Sequence, residues 1–173
     1  MKKLMKFLLL LIIVTMGLSL SACSLKQKTK TYTFHGIAFD IPENWGEGLI
    51  NEYDMDFGTD CEFIWIYKDR PIGYNIDDIY SSDEKEVFEY ILPDGFEITS
   101  KEKCTVHGLK AVDYSVEYFG SSPEEYTKYY SYYYHIFIVE ANDGIVSIEY
   151  TGDKEKPLHE KEFKAITKSI RTA

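Results

Sequence analysis

Residues 126–140, YTKYYSYYYHIFIVE, carry six tyrosines, a histidine and a run of β-branched and aromatic residues. That composition suits a strand, and successive strand side chains point to opposite faces. Tyr130, Tyr132, Tyr134, Ile136 and Ile138 therefore share one face, and Tyr129, Tyr133, His135, Phe137 and Val139 share the other. A sheet wet on one side does not load both faces with rings, whereas a sheet with a helix on each face does. The expected class is α+β, an antiparallel sheet of about six to seven strands with helices on both faces. Two helices of about fifteen residues leave the margins of such a sheet half-wet. Tyrosine fits a margin, its ring buried and its hydroxyl in water. The stretch thus reads first as core and margin. Its second reading is a ring-lined ligand surface, with Tyr130, Tyr132, Tyr133 and His135 as the candidates.

The rest of the chain supplies the partners. YTFHGIAFDIP alternates around Phe34, Ile37, Phe39 and Ile41, bends at His35-Gly36 and stops at Pro42. ENWGEG reads as a turn region and LINEYDMDF as a short strand. In CEFIWIYK, Cys61, Phe63, Trp65 and Tyr67 share one face and Ile64 and Ile66 the other. Two apolar faces predict a central strand. Ile79, Val87, Phe88, Ile91 and Leu92 fall at helical spacing, with Ser81 to Glu84 offering a capping box and Pro93 and Gly95 a stop. FEITSKEKCTV and LKAVDYSVEYF flank a bend at His107-Gly108. Asn142-Asp143-Gly144 is a hairpin signal between the tyrosine stretch and IVSIEY. Leu158, Phe163, Ile166 and Ile170 stripe a closing helix, with Pro157 placed for its first turn.

The N-terminus predicts an address. Lys2, Lys3 and Lys6 precede an unbroken apolar run from Phe7 to Val14, and small residues follow. This is the pattern of a secretory signal, too short and interrupted for a membrane span. Leu20-Ser21-Ala22-Cys23 resembles the bacterial lipobox, which implies lipidation of Cys23 and a mature chain that starts there. Two acyl chains, at about 0.8 kcal/mol per buried CH₂, hold stably where one does not. Residues 1–22 are then the signal peptide, 23–31 the lipidated cysteine and a polar tether, and 32–173 a single domain on the extracytoplasmic face of a membrane. Without the leader and its three lysines, 16 basic residues face 29 acidic ones, a net charge of −13. That balance sets nucleic-acid binding aside, since it needs a basic footprint.

A family resemblance joins these pieces. Phe39-Asp40-Ile41-Pro42-Glu43-Asn44-Trp45, Val106-His107-Gly108-Leu109-Lys110-Ala111 and the closing Lys168-Ser169-Ile170 resemble motifs of the PsbP-like superfamily, over residues 32–171. The resemblance implies an antiparallel sheet with helices on both faces. That superfamily includes photosystem II accessory subunits, a nuclear transport regulator and many bacterial lipoproteins of unassigned role. The matching motifs carry over no catalytic residue.

Several stretches carry fragments of known chemical motifs. His159-Glu160 opens a zinc-protease pattern, but its second histidine is Phe163. Gly46-Glu47-Gly48 opens a dinucleotide pattern, but Asn51 replaces the third glycine. Asp54, Asp56 and Asp60 alternate as in calcium loops, yet Thr59 and Trp65 stand where glycine and the closing glutamate belong. A solvated turn is the plainer reading of that run. Cys61 and Cys104 allow a disulfide outside the cytoplasm, closing a loop of about 44 residues; two buried thiols are the alternative. His35 and His107 precede glycines at bends, which gives them turn roles. The class left foremost is a non-enzymatic binding or accessory module on a lipid anchor, engaging a protein or small molecule through the sheet margin or an acidic face. An enzyme whose site is assembled from distant residues and a structural cell-envelope protein are the alternatives. No cofactor is implied.

Overall fold

The structure, a computed structural model, describes residues 27–59, 62–82, 87–88, 92, 96–118, 132–153 and 159–173. The expected signal, lipobox and Cys23 lie outside these residues, as do Asp60, Cys61 and Tyr130 and the side chains of Tyr132 and Tyr133. The described residues form two antiparallel sheets and two helices. β1 (Thr29–Phe34), β2 (Ile37–Pro42) and β10 (Arg171–Thr172) make a small sheet in the order β1-β2-β10. β3 (Gly46–Ile50), β4 (Asp54–Gly58), β5 (Phe63–Lys68), β6 (Phe96–Val106), β7 (Leu109–Tyr118), β8 (Tyr132–Ala141) and β9 (Gly144–Asp153) make the large one, ordered β3-β4-β5-β9-β8-β7-β6. The helices are α1 (Ile76–Ser81) and α2 (Glu160–Ser169).

Turn chemistry sets the hairpins. At both His-Gly bends the two central residues have positive φ, His35 at 46° and Gly36 at 82°, His107 at 47° and Gly108 at 86°. This is the primed turn whose twist matches the strands it joins, and glycine adopts it without strain. The turn histidines also tie elements together. His35 Nε2 lies 2.7 Å from the Glu52 carbonyl and Nδ1 lies 3.3 Å from the Asp143 carboxylate, while His107 Nε2 lies 3.2 Å from the Lys168 carbonyl.

Three places differ from the sequence reading. Pairing begins at Thr29, inside the expected tether, because Thr29 and Lys30 face Pro42 and Ile41 across β2. The turn expected over residues 43–48 closes sooner, with the Trp45 amide 3.0 Å from the Pro42 carbonyl, and Gly46–Ile50 already pairs with β4. A helix, α1, precedes the one expected from Ser81 and ends at Ser81; of the expected one, Val87 and Phe88 are helical and buried, and most of the rest lies outside the described residues. Asn75 caps α1, with Oδ1 accepting from the amides of Asp77 and Asp78 at 2.9 and 3.0 Å, and the Asp78 carboxylate accepts back from the Asn75 amide at 3.1 Å. Ser81 donates its hydroxyl to the carbonyls of Asp77 and Asp78, satisfying the last turn of α1.

The large sheet buries both faces across β8, as alternation predicts. Phe137 and Val139 join a core with Met55, Phe57, Ile64, Ile66, Val146, Ile148 and Tyr150. That core is closed by Phe34, Ile37, Phe39 and Ile41 of the small sheet and by Phe163, Ile166 and Ile170 at the C-terminus. Ile136 and Ile138 point the other way, into a second core with Val112, Tyr114, Val116 and Ile145, against Ile76 and Ile79 of α1 and Val87 and Phe88. Each fully buried side chain of this size contributes about 1.5–3 kcal/mol. Tyr80 pins α1 to the sheet by donating its hydroxyl to the carbonyls of Cys104 and Ala111 at 2.8 and 3.0 Å. Ser169 pins α2, accepting from the Asp40 amide at 2.8 Å, so the closing Lys-Ser-Ile serves helix docking.

Candidate binding face

Of the residues singled out in the tyrosine stretch, only His135 has a described side chain. His135 is buried beneath α2, its ring 5.5 Å from Phe163 and its Nδ1 3.2 Å from an Asp113 oxygen. It belongs to the first core, on the face that alternation gave it.

Asp54 and Asp56 lie in β4, within the short strand expected over LINEYDMDF, so their alternation is the period of a strand whose other face buries Met55 and Phe57. Asp56 accepts from the Leu49 amide, and Asp54 accepts from the Asn51 side-chain amide. Among the described residues no group of three His, Cys, Asp or Glu gathers to hold a metal. Cys104 is half-buried on β6 as a free cysteine packed against the first core. Burial pushes its thiol up, and the carboxylates of Asp113 and Glu102 push the same way. It is therefore a poor nucleophile at neutral pH.

A different strand carries an open row of rings. In β5, Ile64 and Ile66 are fully buried, while Phe63 and Trp65 between them stay 40% and 36% exposed. The second core covers β6 to β8 and stops short of β5. The rings of Phe63 and Trp65 are 6.3 Å apart, and those of Trp65 and Tyr67 are 6.5 Å apart and nearly parallel. Pairing register flanks this row with carboxylates. Trp65 stands between Asp56 of β4 and Glu149 of β9, and Tyr67 stands between Asp54 and Ser147. Gly58 stands beside Phe63, whose ring lies so close over it that a Cβ there would meet Cδ1 at 2.6 Å. Leu49, Ile50, Tyr53 and Ile72 are exposed on other segments.

One cation is already bound on this face. Arg70 folds back so that its guanidinium carbon lies 4.4 Å over the Tyr67 ring, and its Nε lies 3.1 Å from Glu149 Oε1. Glu149 is buried and also accepts from the Ser147 hydroxyl at 3.0 Å. Burial raises the Tyr67 hydroxyl above its ordinary range, with Glu149 adding to the effect and Arg70 opposing it.

A second buried carboxylate lies on the closed side. Glu62 accepts from the Tyr150 hydroxyl at 2.6 Å and from the His159 amide at 2.9 Å. His159 caps α2 and meets Trp45 edge-on at 5.3 Å. Burial drives the Tyr150 hydroxyl far above its usual range, and the Glu62 hydrogen bond adds to it. This cluster fixes the start of α2, and its aromatic and aliphatic surroundings make it structural.

Sequence reasoning named Phe63, Trp65 and Tyr67 as sharing a face but took that face as covered. The available signal was the polar set on the neighbouring strand, Ser147, Glu149 and Thr151, which alternates with Val146, Ile148 and Tyr150. A strand facing a closed core on both sides does not alternate in that way.

The fold has solved counterparts. Cyanobacterial PsbP of Synechocystis superposes with a TM-score of 0.58 at 12% identity, over 88% of this chain and 96% of that one. The Saccharomyces cerevisiae Ran-binding protein Mog1p gives 0.58 at 8% identity, over 85% and 96%. A protein of unknown function from Pseudomonas aeruginosa gives 0.52 at 18% identity, over 84% and 97%. No family model matches the chain, and no curated protein matches it. The chain thus has the PsbP-like fold, in its mostly antiparallel two-sheet form.

Proposed function

We propose that this protein is a lipid-anchored extracytoplasmic binding or accessory module that engages its partner through the open face of β4, β5 and β9. The observation that carries this reading is the pair Phe63 and Trp65, exposed beside Tyr67 on a strand whose other face is fully buried. Contiguous exposed apolar surface rimmed by polar groups marks interaction sites. The anchor rests on the lipobox resemblance at Leu20 to Cys23. No helix among the described residues is long and apolar enough to cross a membrane, and an acyl anchor on Cys23 requires none. Thr29 already lies in β1, so only a few residues separate Cys23 from the folded domain. The domain is read as the two-faced sandwich of its superfamily, one helix on each face of the large sheet. A counterpart of this fold that binds Ran lends support to a protein partner over a small molecule.

The test is capture of partners by the native lipidated protein, identified by mass spectrometry, set beside Phe63→Ala and Trp65→Ala proteins of unchanged melting temperature. Loss of the same partners from both variants supports the reading. Retention of every partner by both sinks it.

A further inference from the structure

We infer that the open face takes an extended, basic stretch of polypeptide, with an arginine laid over Trp65 and its charge met by Asp56. This rests on the reading of the face as a binding surface and names the chemistry of what binds.

Three observations converge on it. The first is spacing. The rings of β5 follow one another at 6.3 and 6.5 Å. Alternate residues of an extended chain are separated by about 6.6 Å, twice the strand rise. A ligand running along β5 in extended form therefore sets every second side chain over a successive ring. The second is charge. Among the described residues of β4, β5 and β9 that face this side, Asp54, Asp56 and Glu149 are acidic and none is basic. Arg70, from the segment after β5, supplies a cation. Face and mature chain are thus both acidic, which favours a cationic partner and speeds its encounter.

The third is an arrangement the chain already makes for itself. Arg70 stacks its guanidinium over Tyr67 and pairs with the carboxylate of Glu149. One step along the row, Trp65 has Asp56 beside it in register. An incoming arginine over Trp65 with Asp56 at its edge repeats the Arg70 geometry on the neighbouring ring. Tryptophan is the better of the two rings for a cation. Arginine is favoured over lysine because its planar guanidinium stacks on a ring and still offers hydrogens to a carboxylate.

The experiment is titration calorimetry of the intact domain with a short synthetic peptide of alternating arginine and threonine. A glutamate-for-arginine peptide and a neutral chitin oligosaccharide serve as the other probes. Saturable binding of the arginine peptide alone is expected, weakening as salt is raised. Asp56→Asn keeps the oxygen that the Leu49 amide uses but removes the charge, and it should weaken the peptide about tenfold, as should Trp65→Ala. Melting temperatures of both variants establish that they are folded. Binding of the sugar instead of the peptide overturns the inference. So does a concentration-dependent dimer abolished by Trp65→Ala, because the occupant is then a second copy. Peptide binding indifferent to both variants overturns it as well. If Trp65→Ala loses the captured partners while the arginine peptide does not bind, the class of ligand is wrong and the binding face stands. If Trp65→Ala retains every partner, the face itself is wrong.

Discussion

Ile64 and Trp65 are neighbours in β5, one on each side of the sheet, and truncating each to alanine measures which side is closed. Ile64 is fully buried in the first core. Its truncation removes three carbons, worth about 0.8 kcal/mol each in transfer, and leaves a cavity between β4, β9 and the C-terminal residues, for about 2–5 kcal/mol in total. Trp65 is larger, but 36% of it is in water, and among the described residues its ring meets Phe63 and Tyr67 on the same face. Water replaces the ring without a void, so the loss is a few same-face contacts, about 1 kcal/mol. In β8 the same pair of neighbours behaves differently. Ile136 lies in the second core and Phe137 in the first, so both truncations should cost about 2–5 kcal/mol. Urea unfolding followed by circular dichroism, with the slope checked for constancy, gives all four values. At this size each kcal/mol moves the melting temperature by about 2–4 °C. Trp65→Ala costing as much as Ile64→Ala would show the β5 row to be covered, and the binding face would go with it. Near-wild-type stability for Ile136→Ala or Phe137→Ala would refute the two-sided core at β8.

Other consequences are more local. Arg70→Ala withdraws a guanidinium from buried Glu149 and should destabilise by about 1–3 kcal/mol, read by the same unfolding curves; no change would mean that the pair contributes nothing. Tyr150→Phe removes the donor at 2.6 Å from Glu62 and should also cost about 1–3 kcal/mol at neutral pH. The Tyr150 hydroxyl titrates higher folded than unfolded, so the unfolded chain loses this proton first. That stability is present in full below about pH 10 and declines above it. A melting-temperature profile into alkali should fall less steeply for Tyr150→Phe than for wild type. Cys23→Ala should abolish detergent-phase partitioning of the processed protein, and continued partitioning after signal removal would exclude Cys23 as the anchor.

Much of the fold is legible because it rests on period and turn chemistry. The opposite burial of Ile136 and Phe137 follows from strand alternation, and the hairpins at His107-Gly108 and at 142–144 follow from residues that tolerate positive φ. α1 is less legible, because its capping signal, Asn75 with Asp78, stands just ahead of the Ser81 to Glu84 signal; it puts Ile76 and Ile79 on the face that meets β7 and β8. β3 was hidden by its glycines. Gly46 and Gly48 read as a turn in isolation, but Gly48 lies where a Cβ would strike the Asp56 carboxylate, and only a partner strand reveals that approach.

The open face was missed for a reason of area. Seven strands spaced about 4.8 Å apart span roughly 29 Å. The first face is closed across that width by the small sheet and α2 together. On the second face α1 is six residues long, about 9 Å of helix some 10 Å wide, and together with Val87 and Phe88 it covers Val112, Tyr114 and Val116 of β7 and Ile136 and Ile138 of β8. Phe63 and Trp65 of β5 stay exposed. The sequence does not show where that cover ends, because Phe63, Trp65 and Tyr67 have the same composition as the rings around β8. Position in the sheet decides. β8 lies among β7, β9 and the residues beneath α1, whereas β5 lies beyond β9, where Ser147 and Glu149 replace the apolar residues that would close a core. Rings on a covered strand contribute stability; the same rings beyond the end of the cover remain available to a partner.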